Sequence, residues 1–175
     1  MNIIKNIQNI SSYPKVVTIG NFDGIHKGHQ SLIKKTQEIS FTENLESLIF
    51  TFNKLPEEIF KSGHFQRLYN NELKFDYIKS YAINTILSID FNDIKNFSAS
   101  FFCEEILIKK LITKYLIIGK NFRFGKGREG DIDKLNEYHR SGDFHVITPE
   151  LEKYDNKHIS STRVRKLVKD GRFSD

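Results

Sequence analysis

The sequence contains a single cysteine, Cys103, among its 175 residues. One thiol excludes an internal disulfide and any metal site built from several cysteines. Cys103 falls in an apolar helical pattern, where a thiol is ordinarily buried filler and not a nucleophile. No stretch is long and apolar enough to span a bilayer. The N-terminal segment MNIIKNIQNISSYPK lacks the apolar centre of a signal peptide. A cytoplasmic protein with no membrane partner is therefore expected. Internal repeats, low-complexity linkers and an HExxH pattern are missing, and no carboxylate cluster suggests a protein-held metal. A chain of this length fits one domain, so residues 1–175 are expected to form a single unit.

Apolar material is ample. The hydrophobic share is 38%, with 15 Phe and 7 Tyr, enough for a real core at this size. The charge balance is 27 Lys and Arg against 22 Asp and Glu, a net +5. Such a balance suits a phosphate-rich ligand, a nucleic acid or simply a soluble surface, and it says nothing of the fold.

Short apolar runs read as strands over 15–20, 47–52, 85–89, 115–119 and 144–148. Between them, apolar residues spaced three and four apart predict helices over 28–39, 71–82, 97–112, 131–140 and 160–169. The last would be capped by Ser160 or Ser161. Strands alternating with helices predict an α/β fold, a doubly wound parallel sheet covered on both faces. Ligands in such sheets bind at the carboxyl ends of strands, near the reversal of strand order. The loops after Gly20, Phe52 and Gly119, and the helix start near Ser160, are thus the places to look.

The first loop reads GNFDGIHKGHQ, from Gly20 to Gln30. Gly20 and Gly24 permit tight turns. The following helix directs free N–H groups and its positive dipole end at the loop, which favours phosphate. His26 and His29 can share one side of the first turn, with Gly28 leaving room between them. Such histidines can donate to phosphate oxygens. A zinc site is the alternative, and it would need a further ligand. Asp23 is the nearest carboxylate for a metal, although in its turn it can instead accept backbone N–H bonds.

The stretch GNFDGIHKGH resembles the GxFDGxHxGH signature of the FMN adenylyltransferase module in bacterial bifunctional riboflavin kinase/FAD synthetases. The shorter HxGH element is shared by the wider nucleotidylyltransferase superfamily. A second stretch, ISSTRVR from Ile159 to Arg165, is similar to the family's ISSTxxR motif. A third, GKNFRFGKGREGD from Gly119 to Asp131, resembles its G-x-[ND]-F-x-F-G segment. The resemblance covers nearly the whole chain and implies a Rossmann-like nucleotidylyltransferase domain without the riboflavin kinase domain that usually follows. It implies transfer of AMP from ATP to FMN, giving FAD and pyrophosphate, with Mg2+ bound mainly through the ATP phosphates. The implied catalytic residues are His26, His29, Asn121 and Arg165. Gly20, Asn21, Phe22, Asp23, His26, Gly28, His29, Gly119, Ser161, Thr162 and Arg165 would bind ATP. Phe52, Pro56, Asn121, Phe122 and Phe124 would bind the flavin. Phe122 and Phe124 have two open roles, lending apolar surface to the isoalloxazine or pinning their loop to the core. Small-molecule substrates are expected, and no nucleic acid. An acceptor other than FMN, or a non-catalytic nucleotide-binding protein, are the alternatives.

One departure stands out. After the second strand the family usually reads TFxPHP, where this chain has Thr51-Phe52-Asn53-Lys54-Leu55-Pro56. Loss of a proline and a histidine predicts a looser loop on the flavin side, with the ATP side unaffected.

Overall fold

A computed structural model of the chain describes residues 1–60, 65–150, 153–154, 157–158 and 160–171. Six strands form one all-parallel sheet: β1 (Asn2–Ile4), β2 (Lys15–Ile19), β3 (Glu46–Lys54), β4 (Thr85–Asp90), β5 (Thr113–Ile117) and β6 (His145–Ile147). Their order is β1-β4-β3-β2-β5-β6. The chain winds outward from β2 through β3 to β4, then returns to β2's other side as β5 and continues to β6. That reversal makes the sheet doubly wound, and it opens a crevice at the carboxyl ends of β2 and β5.

Alternation along each strand feeds two cores. Val17, Ile19, Leu48, Phe50, Phe52, Leu87, Ile89, Leu116 and Ile118 face one layer, against Phe102, Cys103, Leu107 and Leu135. Val16, Ile49, Ile86 and Ile117 face the other, against Leu32, Ile33, Ile39 and Ile78. Both faces are therefore dry, which explains why the strands read as continuous apolar runs. The covering helices are α1 (Lys27–Thr42), α3 (Asn71–Lys79) and α5 (Ile132–Ser141), with α2 (Pro56–Phe60) and α6 (Ser161–Lys169) at the carboxyl edge. Ser160 caps α6, its Oγ accepting from Arg163 N at 3.3 Å.

Three features differ from the sequence expectation. Strand β1 pairs in parallel with β4 at the sheet edge, although its three residues carry no strong pattern. An antiparallel pair, β7 (Lys153–Tyr154) and β8 (Lys157–His158), precedes α6. The helix expected over 97–112 begins as α4 (Ala99–Phe101) and continues as a π-helix, Phe102–Lys110. Its buried residues Phe102, Ile106 and Leu111 recur every four to five positions, so the wider π turn keeps them all toward the sheet. Cys103 is buried as expected, and burial pushes its thiol up to about 12.

Candidate functional site

The loop after β2 enters α1 through a left-handed backbone. Phe22, Gly24 and Ile25 all have positive φ, at 49°, 77° and 33°. Bulky residues rarely adopt this conformation. Here Phe22 and Ile25 are completely buried in the second core and hold it in place. Gly24 cannot be replaced cheaply, since its φ of 77° strains any residue with a Cβ, and that atom would also crowd Leu68 Cβ at 3.2 Å. The placement revises one expectation. Phe22 is 0% exposed and does not line the cavity, so it supports the loop from beneath.

His26 is the N-cap of α1, its Nδ1 accepting from His29 N at 3.4 Å. With Nδ1 an acceptor, neutral His26 carries its proton on Nε2, which leaves an N–H to donate. The two imidazoles stack with centroids 3.8 Å apart and planes 18° from parallel. Burial is the main force holding both below the ordinary histidine value of 6.5, His29 well below it. Charge on His26, when that ring is protonated, and charge on Lys74 oppose protonation of His29 further. Both rings are therefore neutral at pH 7. His29 Nδ1 is buried and has no hydrogen-bond partner, an arrangement that is costly unless something else uses it.

The second motif, 138 residues further on, folds back onto the first. Ser161 Oγ donates to the Asp23 carbonyl at 2.9 Å. Arg165 Nη2 donates to Asp23 Oδ2 at 2.5 Å, and Arg165 Nε to the Gln66 carbonyl at 3.1 Å. The Arg165 guanidinium also lies 4.3 Å from the centre of the Phe65 ring. Asp23 Oδ1 accepts from Leu68 N at 2.9 Å and Tyr69 N at 3.1 Å. Asp23 is thus a buried clamp that ties segment 65–69 and α6 to the histidine loop. Its backbone N–H partners are those of another segment and not of its own turn. Both Asp23 carboxylate oxygens are so occupied, and among the described residues no group of three or more His, Cys, Asp or Glu is placed to hold a metal ion. Thr162 and Gly119 do not line the cavity described below. Thr162 is exposed, and nothing lies within 4 Å of a Cβ placed at Gly119.

Between these motifs and the third lies a cavity of about 460 Å³. Gly20, Asn21, His29 and Ser161 line one end. Phe52, Pro56, Phe60, Phe91, Phe97, Phe102, Phe122 and Phe124 form the other, with Asn121 on the wall. Phe122 stacks on Phe124 at 5.6 Å, and Phe124 packs on Phe102 at 5.7 Å. Phe124 is 8% exposed and belongs to the core while also bordering the cavity, and half-buried Phe122 packs against that core with a face in the cavity. A bridge between Phe124 and Gly130 closes this loop. A Cβ on Gly130 would lie 2.7 Å from the Phe124 ring, so only glycine fits. Of the four cationic residues in this loop, Arg123 and Arg128 reach the cavity. Lys120 and Lys126 are exposed.

The altered loop after β3 is not loose. Arg67 grips Glu58, Asn71 Oδ1 and the Asn53 carbonyl, while Glu58 Oε2 accepts from Leu55 N at 2.6 Å. An ion-paired turn does here what proline would do elsewhere. Leu55 is 1% exposed and packs in the first core, while Lys54 is exposed. Phe52 and Pro56 line the cavity.

Sequence reasoning missed Glu57, whose Oε2 accepts from Asn21 Nδ2 at 3.0 Å, and the wall built by Phe60, Phe91, Ile94, Lys95 and Phe97. A usable signal existed. Phe91 directly follows β4, so the loop after that strand belongs among the carboxyl-end loops.

Known proteins resemble this chain over nearly its whole length. A family model described as FAD synthetase matches residues 8–163. A bifunctional riboflavin kinase/FMN adenylyltransferase of Buchnera aphidicola subsp. Schizaphis graminum is 38% identical over 173 residues, covering 96% of this chain and 55% of that protein. The Escherichia coli K12 protein of the same description is 33% identical over 175 residues, covering 97% of this chain and 56% of that one. The chain spans about half the length of the curated relatives it matches. A crystal structure described as a macrolide-efflux protein from Streptococcus pneumoniae superposes with a TM-score of 0.83 at 28% identity, over 98% of this chain and 58% of that one. Efflux is said of the pneumococcal protein alone. Among the described residues here, no helix is long and apolar enough to cross a membrane.

Proposed function

Because the chain belongs to the FAD synthetase family, we propose that its cleft transfers the adenylyl group of Mg-ATP to FMN, releasing FAD and pyrophosphate. One observation carries this reading. Two motifs 138 residues apart meet at Asp23, and the cavity they border continues into a wall of phenylalanines. A phosphate-binding end joined to an aromatic end suits a nucleotide donor and a flavin acceptor.

The chemistry needs little covalent help. A phosphomonoester has its second pKa near ~6, so the FMN phosphate is already ionised at neutral pH and needs no general base. One of its oxygens attacks the α-phosphorus of ATP in line. The new P–O bond forms as the bond to the bridging oxygen breaks, and that oxygen's electron pair leaves with pyrophosphate. The protein's work is positioning and charge stabilisation. Neutral His26 offers its Nε2–H, and His29 lies beneath the same end of the cleft. The N-terminus of α1 adds its free N–H groups and dipole. Arg165, poised on Asp23, faces the triphosphate, with Ser161 and Thr162 at the start of α6. Gly20, Asn21, Gly28 and Gly119 shape the nucleotide end. Asn121, Phe52, Pro56 and Phe122 hold the flavin, while Phe124 backs Phe122. Mg2+ enters as part of the Mg-ATP substrate, since Asp23 is committed elsewhere.

The adenylyl transfer is the activity assigned to these residues. The test is incubation with Mg-ATP and a panel of acceptors: FMN, riboflavin, nicotinamide mononucleotide and phosphopantetheine. FAD from FMN, with no FMN from riboflavin, supports the proposal. A product from another phosphorylated acceptor alone would replace it, and pyrophosphate from none of them would mark a binding protein.

A further inference from the structure

Lys74 sits on α3, a helix that contributes nothing to the cavity lining. Its side chain is nevertheless driven inward and is 2% exposed. An amine so buried is costly unless it is well partnered. Lys74 Nζ donates to Thr51 Oγ1 at 3.1 Å and to the Phe52 carbonyl at 2.9 Å. Thr51 Oγ1 in turn donates to the Asn21 carbonyl at 3.2 Å. Asn21 belongs to the histidine loop and Phe52 to the aromatic wall, and both line the cavity. One amine thus joins the two ends of the cleft from behind.

We propose that Lys74 is a positioning residue for the transfer reaction, holding the loop of His26 and His29 at a fixed distance from the wall on which the acceptor stacks. The proposal rests on the reading of the cleft given above and adds a residue that touches neither substrate. In-line transfer is sensitive to such spacing, since a misplacement of 1 Å can cost roughly 10²-fold in rate. The charges facing Lys74 are Arg67, Asp23 and Glu58, and the His29 ring senses it as well. Burial first, then Arg67, lowers its pKa to about 7, opposed by Asp23 and Glu58.

Two variants test this, each followed by turnover and by NMR titration of the histidine rings. Lys74→Met removes the amine at similar length. Thr51→Val removes the relay hydroxyl while leaving the amine in place, and it serves if Lys74→Met does not fold. Each should lower kcat by roughly 10²-fold with the KM for ATP within a few fold. The double variant should lose little more than the worse single one, because both break one chain of contacts. In Lys74→Met, His29 should titrate at higher pH, since a nearby positive charge is gone. Variants with lower Tm, unchanged kcat in the folded fraction and an unmoved His29 titration would overturn the proposal. If the native chain makes no FAD from FMN but His29 still moves, the acceptor assignment fails and the coupling of Lys74 to the histidine loop stands.

Discussion

Arg165 Nη2 meets Asp23 Oδ2 at 2.5 Å across 142 residues of chain. Asp23 is almost wholly buried, and Arg165 keeps about a quarter of its side chain exposed (1% and 23%). The arginine is therefore held against the histidine loop with part of its side chain toward solvent. This contact sets the register of α6, with Arg165 toward the histidine loop.

Arg165→Ala should accordingly damage ATP handling more than Arg163→Ala. Removing one positioned donor typically costs ~10²–10³-fold in rate. Steady-state kcat/KM for ATP in the two variants checks the order. Asp23→Ala should instead act through stability, because it strands Leu68 N, Tyr69 N and the Arg165 guanidinium. Breaking one side of a buried pair costs about 3 kcal/mol, readable by urea unfolding.

His29→Ala should reduce turnover by ~10²–10³-fold with a smaller effect on Tm. Its acid stability should change too. The folded chain keeps His29 well below 6.5, so just under that pH the unfolded state binds more protons. Stability therefore falls as pH drops from 6.5 toward the folded value. The variant loses that share of the slope, which unfolding curves at several acidic pH values would show.

Lys74 gives the opposite limb. Its folded pKa is about 7 against 10.5 unfolded, so between those values the unfolded chain binds more protons. Its contribution to stability rises with pH across that window and is at its worst below 7. Relative to Lys74→Met, the native protein should gain stability from pH 7 to pH 9. Parallel pH profiles for the two proteins would contradict the burial of this amine.

Phe122→Ala and Phe124→Ala should separate. Phe124 is a core residue, and its truncation should cost about 3–5 kcal/mol. Phe122 keeps a face in the cavity, so its loss should raise the KM for FMN with a smaller fall in Tm. Thermal melts and FMN titrations of the two variants distinguish them.

Leu55→His, which restores the family pattern, should destabilise the fold and not tighten flavin binding. The position is 1% exposed among apolar neighbours. An unpartnered imidazole there costs about 1–3 kcal/mol. Calorimetric titration with FMN and a thermal melt would expose an error in either direction.

The contrast between Leu55 and the motifs marks what the sequence could and could not convey. The central strands were legible because both faces are dry, so Val16 to Ile19 and Leu48 to Phe52 read as unbroken apolar runs. The loop from Gly20 to His29 was legible because glycines and histidines at a strand-to-helix turn have few other uses. Strand β1 was not, since three half-exposed edge residues gain their partner only from β4. The π turns of Phe102–Lys110 depend on packing that no local period reveals. Lys74 reads as an ordinary solvent-facing helix residue, and only the fold shows it reaching Thr51. Arg67 and Glu58 look like scattered surface charges until nine residues of chain bring them together as the clamp that replaces a proline.

Movement of AMP from ATP to FMN in this cleft can be followed by an isotopic label. The most direct measurement follows ATP labelled at the α-phosphorus, incubated with Mg2+, FMN and the chain, with the products separated by chromatography. Label should appear in FAD, with one unlabelled pyrophosphate for each FAD formed, and both should fall sharply in His29→Ala. Label that remains in ATP, or appears only in free AMP while FMN is unchanged, would contradict it.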